Sequence, residues 1–134
     1  MTKTIDKAWA ETLVKNLLDE VAWSLPDLEL PLPPSINKVL GRQRWGYQRA
    51  MATFRLHVNC TLGTTSFRQP KPPVVILYRC YFPDSRWRDP ENIAKMLVDA
   101  LYYEDHEVRS WALWNGVDKE NPHVALWFIK VERG

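Results

Sequence analysis

Val74-Val75-Ile76-Leu77-Tyr78-Arg79-Cys80-Tyr81-Phe82, closed by Pro83, is an almost unbroken apolar and aromatic run. β-Branched and aromatic side chains favour extended backbone, and a run with so little polar alternation belongs where both faces are covered. Residues 74–82 are therefore expected to form a central strand. A loop over 84–88 then delivers Asp89-Pro90-Glu91, which has the signature of a helix start: Asp as N-cap, Pro at the first helical position and an acid near the positive helix end. Ile93, Ala94, Met96, Leu97, Val98, Ala100 and Leu101 make the helix apolar on most sides. Such a helix packs against neighbours over most of its circumference.

Working outward, Ile5, Trp9, Leu13, Leu17 and Val21 recur at helical spacing, so a first amphipathic helix is expected over 6–23, ended by Pro26. Residues 28–32 read as a short strand and 35–45 as a basic loop. A second helix is expected over 47–62, with Gly63 as its stop signal and 64–73 as a connector. Residues 102–107 form the turn after the third helix. Residues 108–115 and 124–131 read as two strands joined by a hairpin loop at 118–122. The order α-β-α-β-α-β-β implies an α+β (mixed α/β) fold, one mixed sheet with helices packed on it. Residues 1–134 form a single domain, of which 1–25 are an additional N-terminal helical segment.

Composition limits the possibilities. With 46% hydrophobic and 25% charged residues the chain has the make-up of a globular protein that buries a core without staples. Cys60 and Cys80 are too few and too far apart for a disulfide framework or a cysteine-rich zinc site, which fits a reducing cytosol. No apolar run approaches membrane-spanning length, and Asp6, Glu11, Lys15, Asp19 and Glu20 replace the apolar core of a secretion signal. His57, His106 and His123 have no zinc-site spacing, although His106 adjoins an acidic turn.

The net charge is only +2, but its distribution is uneven. Between Leu30 and Pro83 the charged residues are Lys38, Arg42, Arg44, Arg49, Arg55, Arg68, Lys71 and Arg79, eight bases with no acid. A basic segment beside an acidic cluster suits a polyanion and a cation. The alternative is that acids from the N-terminal helix pair with these bases.

The acidic cluster follows the central strand. At about 100° per residue Glu91, Asn92, Lys95 and Asp99 fall in one arc of roughly 100°, a polar stripe expected to lie in a groove. Helix capping accounts fully for Asp89 and Glu91. It accounts less well for Asn92 and Asp99, which are indifferent helix formers. Carboxylates, an amide and one lysine are the groups that a divalent metal and a phosphodiester need, while ion pairing within a helix explains the same spacing.

Three stretches together carry a resemblance: Pro33-Pro34-Ser35-Ile36-Asn37; Arg88-Asp89-Pro90-Glu91-Asn92-Ile93-Ala94-Lys95 running on to Asp99-Ala100-Leu101; and Glu104-Asp105-His106-Glu107-Val108. In them the chain resembles the RusA family of Holliday junction resolvases. Its pattern is Pro-Pro-Ser-x-Asn, then Arg-Asp-x-Asp-Asn-x-x-Lys-x-x-x-Asp-Ala-Leu, then Asp-Asp-x-x-Val. The resemblance spans about residue 28 to the C-terminus. Glu91 stands where the family has Asp, the connection from Leu101 to Glu104 is shorter, and the N-terminal helix precedes the shared region.

The resemblance implies a homodimeric, Mg²⁺-dependent endodeoxyribonuclease that resolves four-way junctions or other branched DNA by paired phosphodiester hydrolysis, Mn²⁺ being a possible substitute. It implies a cytoplasmic protein of bacterial or phage origin, acting in recombination and repair, without a membrane partner. Asp89, Glu91 and Asp105 match the metal-binding carboxylates and Lys95 the essential lysine. Asn92, Asp99 and Glu104 match recurring neighbours. Asn37, Lys38, Arg42, Arg44, Trp45, Arg49, Arg86 and Arg88 are the expected DNA contacts, with Trp45 and Trp87 placed to stack on unpaired bases. Trp111, Trp114 and Trp127 lie on strand patterns and are expected in the core or a subunit interface. Two other functions fit the residues: an inactive relative that binds branched or single-stranded DNA, and a structural module whose polar stripe makes only ion pairs.

Overall fold

The computed structural model describes residues 3–6, 21, 24–33, 44–102 and 107–132. Among them are strands β1 (Lys3–Asp6) and β2 (Leu28–Pro31), helix α1 (Arg44–Thr64) and strand β3 (Val74–Phe82). A 3₁₀ turn (Pro90–Ile93), helix α2 (Ala94–Leu101), and strands β4 (Val108–Ala112), β5 (Gly116–Val117) and β6 (His123–Glu132) follow. They build the expected α+β architecture on one mixed sheet.

β3 is central, as its apolar run requires. β6 pairs with it antiparallel along one side, from Val74 opposite Lys130 to Tyr81 opposite His123. β4 and β5 pair with it in parallel along the other, Val74 lying opposite Val108 and Phe82 opposite Val117. β1 and β2 share the outer side of β6, β1 parallel and β2 antiparallel.

The alternation of β3 sorts its side chains between two cores. Val74, Ile76, Tyr78, Cys80 and Phe82 face the larger one, closed by Phe54 and Val58 of α1 and by Ile93, Leu97, Val98 and Leu101 around α2. Burying such a side chain contributes about 1.5–3 kcal/mol, so α2 is held mainly by its apolar faces. Val75 and Leu77 face the smaller core with Val21, Leu113, Trp127, Ile129 and Val131.

Three expectations need correction. The last two strands do not form a hairpin, because β3 lies between β4 and β6 and makes a β-α-β crossover with β4 through α2. The chain does not open on a helix: Lys3–Asp6 is a strand that gains its backbone partners from β6, a long-range pairing that four residues do not announce. Of the expected helix over 6–23, Asp6 belongs to β1 and Val21 is helical; the other residues lie outside the described ones. Gly63 does not stop α1, which runs to Thr64. Among the described residues no glycine has the positive φ of a helix-ending glycine. The Arg68 guanidinium instead donates to the carbonyls of Leu62, Thr65 and Phe67, meeting acceptors that the helix end leaves open.

Candidate nucleic-acid groove and carboxylate site

β3, β4 and β5 run in the same direction, and their C-terminal ends open into a groove of about 760 Å³. Ligands of open α/β sheets bind at this edge, because the loops leaving the strands diverge there. Its walls come from the loop after β3 (Asp84, Ser85, Arg86, Trp87, Asp89), the start of the 3₁₀ turn (Pro90, Glu91) and the stretch from the end of β4 through the β4–β5 connection to β5 (Trp111 to Val117), with Arg79 and Phe82 from β3.

Asp89 holds the position that its sequence setting predicts. It is the N-cap of the 3₁₀ turn, and its Oδ1 accepts the Glu91 amide at 3.0 Å. The Tyr78 hydroxyl, rising from the larger core, donates to the Pro90 carbonyl at 3.2 Å and ties this turn to the central strand. Burial raises the Tyr78 pKa, and the neighbouring Cys80, Glu91 and Asp89 raise it further. Cys80 beside it is pushed up to about 12 by burial, so its thiol stays protonated and inert.

Asp84, Phe82 and Asn115 hold the loop in shape, and the sequence reading missed all three. Arg88 grips Asp84 with both guanidinium nitrogens, at 2.8 and 3.1 Å, and lies 5.1 Å from the Phe82 ring centroid. Its backbone carbonyl accepts from Asn115 Nδ2 at 2.8 Å, joining the loop to the β4–β5 connection. Asp84 is held below the usual carboxylate range by hydrogen bonds from the Arg88 side chain and the Arg86 amide. Arg88, expected as a DNA contact, pairs with Asp84 and so shapes the loop that leads into Asp89. The local signal was Pro83-Asp84-Ser85, a turn composition in which the Asp side chain accepts an amide two residues on, here Arg86 at 3.0 Å.

The polar stripe divides. Asp89 and Glu91 line the groove, whereas Lys95 and Asp99 follow on α2 outside its lining. The side chain of Lys95 is 59% exposed and lies 3.4 Å from Asp99, whose carbonyl accepts from Arg55 at 3.5 Å. The tighter 3₁₀ geometry of Pro90–Ile93 separates the two halves, since it advances about 120° per residue instead of 100°. Asn92 is half-buried, its backbone N–H donating to the Asp89 carbonyl.

The tryptophans also divide differently from the strand-pattern expectation. Trp127 is buried in the smaller core, but Trp87 is 81% exposed, Trp114 91% and Trp111 37%, and all three line the groove. Arg79 donates through Nε to the Trp114 carbonyl at 3.1 Å, holding the loop that presents it. Arg49 and Arg86 are exposed, Arg86 on the groove wall.

No family model and no curated protein matches the chain. Among the described residues no group of three or more His, Cys, Asp or Glu is placed to hold a metal ion, and no helix is long and apolar enough to cross a membrane. Glu104, Asp105 and His106, with Asn37, Lys38 and Arg42, lie outside the described residues, as do the side chains of Arg44 and Trp45. The described carboxylates nevertheless suit a hard cation. Asp89 retains a second oxygen beyond the one that caps the turn, and Glu91 reaches the same groove.

Proposed function

We propose that this chain is a Mg²⁺-dependent, RusA-like endonuclease that cuts branched DNA as a homodimer. The observation that carries it is the placing of Asp89 and Glu91, the carboxylates of the RusA-like motif, on one wall of a groove at the C-terminal ends of parallel strands. Asp105, as the motif match places it, is the third carboxylate of the proposal, and Glu104, Asn92 and Asp99 match further recurring positions of the motif.

The chemistry supplied by magnesium at such carboxylates is Lewis-acid polarisation of a phosphoryl oxygen and activation of water. The chain's own part is orientation and charge. Asp89 is fixed by its helix cap, the turn by Tyr78, and the preceding loop by the Asp84–Arg88 pair. Lys95, the lysine of the motif, lies on α2 outside the groove lining and beside Asp99, and the resemblance assigns it the cation for charge that develops on the phosphodiester. Arg86, on the groove wall, supplies positive charge for a DNA backbone.

The test is a labelled four-way junction incubated with the protein, with and without Mg²⁺ or Mn²⁺, read for both gel shift and nicks. Metal-dependent nicking that disappears in a folded Asp89→Asn variant, with the shift retained, is the expected result. A shift without nicks in either metal makes the chain a binder of branched DNA. Neither shift nor nick leaves the structural module.

A further inference from the structure

Six large apolar side chains are exposed among the described residues: Leu25, Leu56, Trp87, Trp111, Trp114 and Val117. Four of them, the three tryptophans and Val117, line the single groove that holds Asp89 and Glu91. Scattered exposed apolar residues need no explanation, but such a concentration in one concave site marks a binding surface.

Its composition decides what it binds. An interface for another protein has a core depleted of charge, and here Arg79, Asp84, Arg86, Asp89 and Glu91 are interleaved with the indoles. A small apolar ligand is equally ill-suited, because Trp114 at 91% and Trp87 at 81% exposure project from loops and enclose nothing. Exposed indole faces beside guanidinium groups suit a ligand with flat aromatic rings on an anionic backbone. A single strand of nucleic acid has that chemistry, whereas a duplex keeps its base faces stacked inside.

We propose that the groove is a stacking site for unpaired nucleotides, with Trp87 and Trp114 on two adjoining loops taking bases and Arg86 taking phosphate. Trp87 belongs to the loop entering the carboxylate turn and Trp114 to the β4–β5 connection, and the Asn115–Arg88 hydrogen bond holds these two loops together. A strand seated there would have its unpaired bases next to Asp89 and Glu91, so the site favours branch points and single-strand junctions over continuous duplex. The choice of ligand rests on the nucleic-acid reading above; the location rests on the groove itself.

The experiment measures binding without catalysis. Fluorescence anisotropy of a labelled oligothymidylate and of a duplex of equal length is followed in EDTA, over a series of salt concentrations. The wild type is expected to favour the single strand, and Trp87→Ala and Trp114→Ala each to weaken it by about tenfold, within the range for losing one base stack. Both positions are exposed, and circular dichroism with the melting temperature establishes that the variants fold. The salt dependence should be unchanged in the tryptophan variants, whereas Arg86→Ala should flatten it by about one unit of slope. Trp87→Phe should recover part of the loss. Single-strand affinity unchanged in both alanine variants overturns the proposal, as does light scattering in which Trp114→Ala dissociates an oligomer without weakening the oligonucleotide complex. The nuclease reading fails separately: a wild-type protein that never nicks a junction in Mg²⁺ or Mn²⁺, yet binds the single strand through Trp87 and Trp114, retains this site and loses that activity.

Discussion

Asp89 serves two purposes, and two substitutions separate them. Asparagine keeps an oxygen that accepts the Glu91 amide, so Asp89→Asn should melt within a degree or two of the wild type while losing cleavage. Asp89→Ala loses the cap as well and should be less stable by about 1 kcal/mol, measured by denaturant titration. Asp84 gives a second prediction. Its hydrogen bonds from the Arg88 side chain and the Arg86 amide depress its folded-state pKa, so the pair contributes stability above the unfolded carboxyl value of about 3.9. That contribution is lost as pH falls through the lower folded value. Carboxyl NMR should find Asp84 titrating below the ordinary range, and Arg88→Ala should move it back up; an Asp84 pKa indifferent to Arg88→Ala would refute the pairing. At this scale Asp89 was legible from sequence because a cap is made within three residues. The Asp84–Arg88 grip was not, because a spacing of four means contact on a helix but has no fixed meaning in a loop.

The β4–β5 connection depends on one glycine at the scale of elements. A Cβ on Gly116 would lie 2.5 and 2.6 Å from two ring carbons of Tyr81. That ring cannot swing away freely, since it stacks on His123 at 4.5 Å between centroids with the planes 11° apart. Gly116→Ala should therefore cost about 1–3 kcal/mol through overpacking and displace the loop that carries Trp114. Thermal melts of Gly116→Ala, Tyr81→Leu and the double variant measure it: a double variant more stable than the sum of the single effects is expected, and strict additivity would show that the two residues do not press on each other. The limits of β3 were legible because a nine-residue apolar run closed by proline has few other uses. The partners of β4 and β6 were not, because sequence proximity suggested a hairpin while β3, buried on both faces, required a strand on either side.

For the whole molecule, two equivalent cuts on a four-way junction need two carboxylate sites related by a two-fold axis. A dimer at micromolar concentration is the expected result of light scattering, free and on the junction. Mixed dimers of wild-type and Asp89→Asn subunits should make one nick per binding event; a monomer on the junction, or both nicks from a mixed dimer, would rule out paired cutting. The buried Trp127 cannot contribute to the dimer surface, and Trp111 and Trp114 face the groove.

By itself the sequence determined the α+β class, the central strand, the helix start at Asp89 and the pairing of Asp89 with Glu91 as candidate ligands. These depend on interactions within a few residues, or on how much apolar surface a segment must bury. The tertiary structure alone decided that β3 separates β4 from β6, and that Lys3–Asp6 is a strand. It alone brought Trp87, Trp111 and Trp114 around the carboxylates and paired Arg88 with Asp84. Each of those outcomes depends on which segments meet. Parallel pairing of β3 and β4 brings loops more than twenty residues apart to one edge of the sheet, a juxtaposition that local pattern does not encode.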